Sequence, residues 1–307
     1  MKIFLTGSRG MVGRNILENP SSKYYDFITP SRQDLDLMDA ESVTAMFAET
    51  QPDLIIHAAG HVGGIQANMK NPKEFLLRNL HMGLNVIGSA DTLGIKKLLN
   101  LGSSCMYPRF GENPLREEAI LTGELEPTNE GYALAKIVSA RLCDYINAVD
   151  STKMYKTIIP CNLYGRYDKY GPEHSHMIPA VIRRLHDAKL SNKTSVDVWG
   201  DGTARREFMS ARDLASFIFY TINNFEKMPN CLNVGIGKDF SIKEYYETIA
   251  RVVGFSGSFD YDTSKPVGMK KKLVDNSLQE KFGWTSEIGL KEGIEEAYDF
   301  FTKMEIL

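Results

Sequence analysis

The chain has 307 residues, 43% hydrophobic and 24% charged, with a formal net charge of −3. These are globular values, and they exclude a disordered or fibrous chain. They also argue against nucleic acid or a membrane surface as partner, and no apolar run is long enough to span a bilayer.

The first strand signal is Lys2–Thr6, a short apolar run leading straight into Gly7-Ser8-Arg9-Gly10-Met11-Val12-Gly13. That turn comes too early for a signal peptide. A G-x-x-G-x-x-G spacing between a strand and a helix suits a dinucleotide. Gly7, Gly10 and Gly13 would allow a tight turn, close backbone approach to a pyrophosphate and close helix–strand packing. The helix N-terminus that follows would offer free N–H groups to phosphate, which makes Arg9, Met11 and Val12 cofactor-binding candidates as well. A plain strand–turn–helix is the alternative.

Tyr25–Thr29 is a weaker strand signal, followed by Pro30-Ser31-Arg32. A carboxylate at this strand end would select NAD through its ribose 2′-hydroxyl. Arginines suit a 2′-phosphate instead, so Arg9 and Arg32 point to NADP(H). The competing reading leaves Arg32 to solvent and gives the ribose to Asp34.

Leu54–His57, Leu98–Leu101 and Thr157–Pro160 read as further buried strands. Between them Leu76, Leu80, Leu84 and Ile87 recur near the helical period, as do Val138, Leu142 and Ile146. The alternation implies an α/β fold: a Rossmann-type doubly wound parallel sheet with a smaller C-terminal substrate-binding lobe. From about residue 161 the rhythm weakens. Residues 165–175 and 189–197 read as loops, Leu232–Ile236 as a strand, and Ile242 to about Val253 as a helix. Ser241 and Glu244 form a capping box at that helix start. The expected organisation is an NADP-binding domain over 1–161, with some later segments returning to its sheet, and a mainly substrate-binding lobe over 162–307.

Cys105, Cys143, Cys161 and Cys231 form no C-x-x-C pair and show no metal spacing. A reduced, cytoplasmic protein without a metal site is expected. Lys270-Lys271-Lys272 reads as a surface run.

Tyr132 and Lys136 share one helix face at i,i+4. A nearby ammonium favours phenolate and would make Tyr132 a proton donor and acceptor near neutral pH. The pair lies downstream of Gly102-Ser103-Ser104-Cys105, at a strand end where parallel sheets bind ligands.

Together these features resemble the extended, nucleotide-sugar-modifying branch of the short-chain dehydrogenase/reductase superfamily. Several segments are similar to the GDP-L-fucose synthase family: His57-Ala58-Ala59-Gly60-His61-Val62-Gly63-Gly64, Leu101-Gly102-Ser103-Ser104-Cys105-Met106-Tyr107-Pro108 and Leu125-Glu126-Pro127-Thr128-Asn129-Glu130. So are Asn162-Leu163-Tyr164-Gly165, Ser175-His176-Met177-Ile178-Pro179-Ala180 and Trp199-Gly200-x-Gly202-Thr203-x-x-Arg206-Glu207-Phe208.

The resemblance implies an oxidoreductase acting on a GDP-4-keto-6-deoxy sugar. Carbons 3 and 5 are inverted, and the C4 ketone is then reduced by NADPH. By similarity Cys105 is the base and His176 the acid of epimerisation; thiols and imidazoles both titrate near neutrality. Tyr132 would protonate the developing alkoxide, Ser103 would bond the same oxygen, and Lys136 would hold the cofactor ribose. Ala58, Ala59 and His176 would border the cofactor. Ser104, Asn162, Arg184, Trp199 and Arg206 would face the substrate, with Arg206 on the diphosphate and Trp199 beside the guanosine.

Each residue has a plainer reading. Cys105 could be a small buried hydrophobe, His176 and Ser104 structural, and Arg183-Arg184 a solvated helix face. The chain also departs from the family at 165–174, at Met209-Ser210-Ala211-Arg212-Asp213 and at Gly60-His61. Those changes suit a C4-reductase only, acting on a GDP-4-keto-6-deoxy-heptose or another sugar epimerised by a separate enzyme. A non-catalytic NADP-binding regulator is a third reading, against which Tyr132 and Lys136 both speak. The resemblance further implies a homodimer, pairing the helices around Leu76–Ile87 and Val138–Ile146 across a two-fold axis. Otherwise those stripes face the sheet.

Overall fold

The structure is a computed structural model that describes residues 1–171, 175–265 and 268–305. Residues 172–174 of the predicted 165–175 loop lie outside the described residues. Strands and helices alternate through the first half. β1 (Lys2–Thr6) leads to α1 (Met11–Glu18), and β2 (Asp26–Ile28) to α2 (Ala40–Thr50). β3 (Leu54–His57) leads to α3 (Ile65–Lys70) and α4 (Pro72–Thr92); β4 (Lys97–Leu101), α5 (Glu130–Val149) and β5 (Met154–Pro160) follow.

The second half runs through β6 (Asn162–Tyr164), α6 (Met177–Leu190), β7 (Ser195–Trp199), β8 (Arg205–Arg206) and β9 (Phe208–Ser210). After α7 (Ala211–Asn223) come β10 (Cys231–Val234), β11 (Phe240–Ser241) and α8 (Ile242–Val253). β12 (Ser258–Asp262), β13 (Lys271–Lys272), α9 (Ser277–Phe282) and α10 (Leu290–Glu305) complete the chain's described elements. None of the described helices is long and apolar enough to cross a membrane.

Six strands form the central sheet in the order β10-β5-β4-β3-β1-β2, all parallel. Its strands read as unbroken apolar runs because both faces are covered. Phe4, Ile55 and Leu98 face a core with Val43, Phe47, Val86 and Ile146 from α2, α4 and α5. Ile3, Leu5, Ile56 and Leu99 face the other core, with Ile16 of α1 and Phe217 and Ile218 of α7. β1 lies between β2 and β3, so the strand order reverses there. Ligand sites of open parallel sheets lie at the carboxyl ends of such a point.

α4 and α5 pack closely: a Cβ on Gly83 would collide with the Ser139 hydroxyl. Their outer faces leave Leu77, Leu84, Leu134, Val138, Tyr145 and Val149 exposed.

A second body of apolar side chains, among them Ile182, Leu185, Val198, Tyr245, Ile249 and Phe301, joins α6, β7, α8 and α10. Beside it lies a three-stranded sheet, β11-β8-β13, of two-residue strands. The capping box is present: Ser241 Oγ accepts from Glu244 N at 3.1 Å, and Glu244 accepts from Ser241 N at 2.7 Å.

Two expectations need correction. Residues 189–197 are not one loop, because Lys189 and Leu190 close α6 and Ser195–Asp197 open β7. β7 exists because it pairs residue for residue with distant β12, burying Val196 and Val198. Nor is Lys270-Lys271-Lys272 merely a surface run: Lys271 and Lys272 form β13 against Arg205 and Arg206.

Candidate active site

The glycine loop leaves β1 and enters α1 at the switch point. Gly7 has φ +71°, and a Cβ there would lie 2.8 Å from the Ala59 backbone. A Cβ on Gly13 would collide with Gly7 O and stand 2.6 Å from Ser8 Cα. Gly10 caps α1 with no side chain, so nothing competes for the first-turn N–H groups of Met11 and Val12. This cradle, open only while it lacks Cβ atoms, fits a pyrophosphate. Ala58 and Ala59 continue β3 beside it, and Ala59 N donates to Thr6 Oγ1 at 3.1 Å. Arg9 and Arg32 are both exposed. Asp34 is engaged locally: it accepts from Ser31 N at 2.8 Å. The Ser31 bonds, with Arg9 adding, hold its carboxyl below the usual range.

Five predicted residues, Ser103, Ser104, Cys105, Tyr132 and Lys136, meet at the end of β4. Ser103 Oγ accepts from Cys105 N at 3.2 Å and caps a short turn, Ser104–Met106, in which Ser104 is buried. Lys136 is buried; its Nζ donates to Leu101 O at 2.7 Å and lies 5.9 Å from the Tyr132 ring centroid. Burial pulls its ammonium down to about 8. The Tyr132 phenol is pushed up, first by burial and then by Cys105, while a Ser103 hydrogen bond opposes. The expected depression of Tyr132 by Lys136 is not what this structure shows: burial dominates, and the one influence opposing it comes from Ser103, not Lys136.

Cys105 is half-buried, and its sulfur has polar neighbours on two sides. Asn129 Nδ2 donates to its sulfur at 3.0 Å from the start of α5, and Lys272 Nζ lies 3.6 Å away on β13. Neither residue was singled out from the sequence. Asn129 lay unnoticed within the Leu125–Glu130 match; Lys272 had no local signal. The buried Asn129 Oδ1 has no partner.

His176 stands just before α6. Burial, with Lys169 second, lowers its imidazole. Lys169 Nζ donates to Val62 O at 3.0 Å, a Cβ on Gly64 would lie 2.7 Å from Ser175 O, and one on Gly60 would lie 3.9 Å from Lys136 Nζ. The 60–64 loop thus runs from Lys136 to the start of α6.

The remaining substrate-side candidates lie in the second half. Arg206, on β8, is held below its usual range by burial, against the charges of Glu126 and Tyr245. Trp199 ends β7 and is 36% exposed. Asn162 Nδ2 donates to Glu207 O at 2.8 Å. Arg184 is no solvated face: its Nη1 donates to Asp197 O at 2.9 Å and Tyr246 Oη at 3.2 Å.

Known proteins resemble this chain over most of its length. The family model described as NAD dependent epimerase/dehydratase family matches residues 3–235. Over 301 residues the chain is 57% identical to a GDP-L-colitose synthase of Yersinia pseudotuberculosis, covering 98% of each. It is 47% identical over 300 residues to a GDP-L-fucose synthase of Azorhizobium caulinodans, covering 98% of this chain and 96% of that one. Among solved structures it is similar to a GDP-6-OMe-4-keto-L-xylo-heptose reductase from C. jejuni, with TM-score 0.91 and 30% identity over 99% and 98% of the chains. A GDP-L-fucose synthetase from Naegleria fowleri bound to NADP gives TM-score 0.89 at 27% identity, over 99% and 93%.

Proposed function

The chain belongs to the NAD dependent epimerase/dehydratase family, and on that premise we propose that it reduces the C4 ketone of a GDP-4-keto-6-deoxy sugar with NADPH, coupled to epimerisation beside that ketone. The observation that carries this reading is one cluster: Ser103, Tyr132 and Lys136 together, with Cys105 between two hydrogen-bond donors.

Gly7, Gly10 and Gly13 would take the pyrophosphate, Arg9 and Arg32 the 2′-phosphate, and Lys136 the ribose. Ala58 and Ala59 flank that path. The reduced nicotinamide, when bound, supplies a hydride to C4. Tyr132 is held as a phenol by burial and so carries the proton that the C4 oxygen needs. Ser103 bonds the same oxygen.

For epimerisation the ketone acidifies the neighbouring C–H bonds. Cys105 takes the proton, and the Asn129 amide and Lys272 ammonium suit a sulfur carrying negative charge. His176 returns a proton to the opposite face. Burial favours its neutral form, which the negative charge of a bound GDP-sugar offsets. Asn162, Arg184, Trp199 and Arg206, in the 162–307 lobe, belong to the nucleotide-sugar side, as does Ser104. The exposed apolar faces of α4 and α5 support a homodimer, checked by a light-scattering mass of twice 34.5 kDa. A cytoplasmic location belongs to the same reading.

The high identity to a GDP-L-colitose synthase favours a second reading of the sugar. Colitose is a 3,6-dideoxy sugar, so C3 has no centre to invert and only C5 would change. Turnover in D2O separates the cases. GDP-4-keto-6-deoxymannose giving reduced product with deuterium at C3 and C5 marks double inversion. Deuterium at C5 alone, from the 3-deoxy substrate, marks single inversion. Reduction without deuterium marks a C4-reductase only, and GDP-4-keto-heptoses are then the substrates to try. Tyr132→Phe should lower kcat roughly 100-fold or more with NADPH affinity unchanged. No turnover on any GDP-4-keto sugar sinks the proposal.

A further inference from the structure

Glu207 is 1% exposed, and both its carboxylate oxygens are in use. Oε1 accepts from Ile236 N at 2.7 Å and Gly237 N at 2.8 Å; Oε2 accepts from Val274 N at 3.0 Å. Its own backbone N donates to Lys272 O at 3.2 Å, and its carbonyl accepts from Asn162 Nδ2 at 2.8 Å. Gly235 leaves it room: a Cβ there would collide with Oε1. One residue therefore ties the turn after β10, at the edge of the central sheet, to β13 and β6.

That tie has something to hold. β8 and β13 are two residues long and lie outside the central sheet. Strands so short carry too few ladder bonds to fix themselves. Yet β13 delivers Lys272 to the Cys105 sulfur, and β8 carries Arg206 immediately before Glu207. A buried carboxylate is costly unless its partners need it. Burial raises this one to about 7, against its three N–H partners and with Asp239 adding to the rise. Cys161 and Tyr245 also face its charge.

Resting on the role given to Cys105 above, we propose that Glu207 is a positioning residue that locks β13 and β8 to the end of β10, so that Lys272 meets the Cys105 sulfur and Arg206 meets the substrate diphosphate.

Glu207→Gln keeps the size but presents an NH2 group where Val274 N–H needs an acceptor. The primary readout is the alkylation rate of Cys105 by iodoacetamide at neutral pH, mapped by peptide mass spectrometry. Buried Cys143 and Cys161 report on intact folding in the same digest. The variant should alkylate Cys105 roughly five- to ten-fold more slowly and show a raised KM for the GDP-sugar, with NADPH affinity unchanged. Lys272→Met should slow alkylation similarly, and the double variant should be no slower than Lys272→Met alone. A folded Glu207→Gln protein with the wild-type alkylation rate overturns the proposal. So does a double variant whose slowing is the product of the two. Should the amide variant not fold, Glu207→Asp keeps the charge, shortens the reach and faces the same criteria. The Cys105 role fails separately: Cys105→Ser that still incorporates deuterium removes the base assignment and leaves the alkylation result standing.

Discussion

The glycine loop and the β8–β13 edge, which the proposed function assigns to one site, are built in opposite ways. The loop is seven consecutive residues whose shape follows from missing Cβ atoms at Gly7 and Gly13. The opposite edge is drawn from Cys105, Asn129, Asn162, Arg206, Glu207 and Lys272, joined by side-chain bonds across long stretches of chain. The first depends on clearance, the second on directed polar contacts. A change in the loop should act all at once, and a change at the edge by graded loss.

The hardest test of that contrast is Gly13→Val. Its Cβ would meet Gly7 O and Ser8 Cα, both backbone, so nothing nearby can give way. NADPH binding, followed by nucleotide fluorescence, should weaken more than about 100-fold, with a fall in Tm from overpacking. Ordinary NADPH binding would break the comparison. Arg206→Ala tests the other side. Loss of a charge-assisted contact should raise KM for the GDP-sugar roughly 10- to 100-fold, with NADPH affinity within about two-fold. Parallel loss of both ligands would mean that the two regions are not separable.

The smallest effect is on acid stability, and it arises at two buried histidines, one at the end of β3 and one before α6. His57, bonded to Thr6 Oγ1 at 2.9 Å, is lowered to about 3 by burial, with Lys136 adding; His176 is lowered too. A depressed folded value means that the unfolded chain binds the extra proton below about pH 6.5. The stabilisation is therefore complete above that pH and lost as pH falls, at about 1.4 kcal/mol per unit for His57. Glu207, raised to about 7 by burial, gains stability over the same range and opposes the histidines, so the test is the difference: from neutral pH to about pH 5 the Tm of the wild type should fall relative to that of His57→Gln. A difference that does not change with pH would remove His57 as its source.

The same contrast governs how far the molecule could be read from its sequence. Lys2–Thr6 and Leu54–His57 were legible because a strand buried on both faces must be an apolar run. The capping box was legible because its two residues stand three apart. β7 was not, since its partner β12 lies far along the chain and its stretch is otherwise polar. Lys272 was read as solvated because nothing local distinguishes it from Lys270 and Lys271; only its strand pairing turns it to Cys105. Tyr132 and Lys136 were found as a pair, but the direction of the Tyr132 shift was missed, because spacing carries no information about desolvation.

The place of β10 in the central sheet bears on how the protein is made. β5 pairs with β10 along Thr157–Pro160, and α7 covers the same core with Phe217 and Ile218. Both follow the passage through α6 to β9. A nascent chain that has just released β5 from the ribosome therefore carries an open, apolar sheet edge for some seventy more residues of synthesis, at a rate of about 5–20 residues per second. Closure of the nucleotide-side core waits for part of the chain beyond it, so a truncation after β5 would yield an aggregation-prone fragment, not a smaller dinucleotide-binding protein.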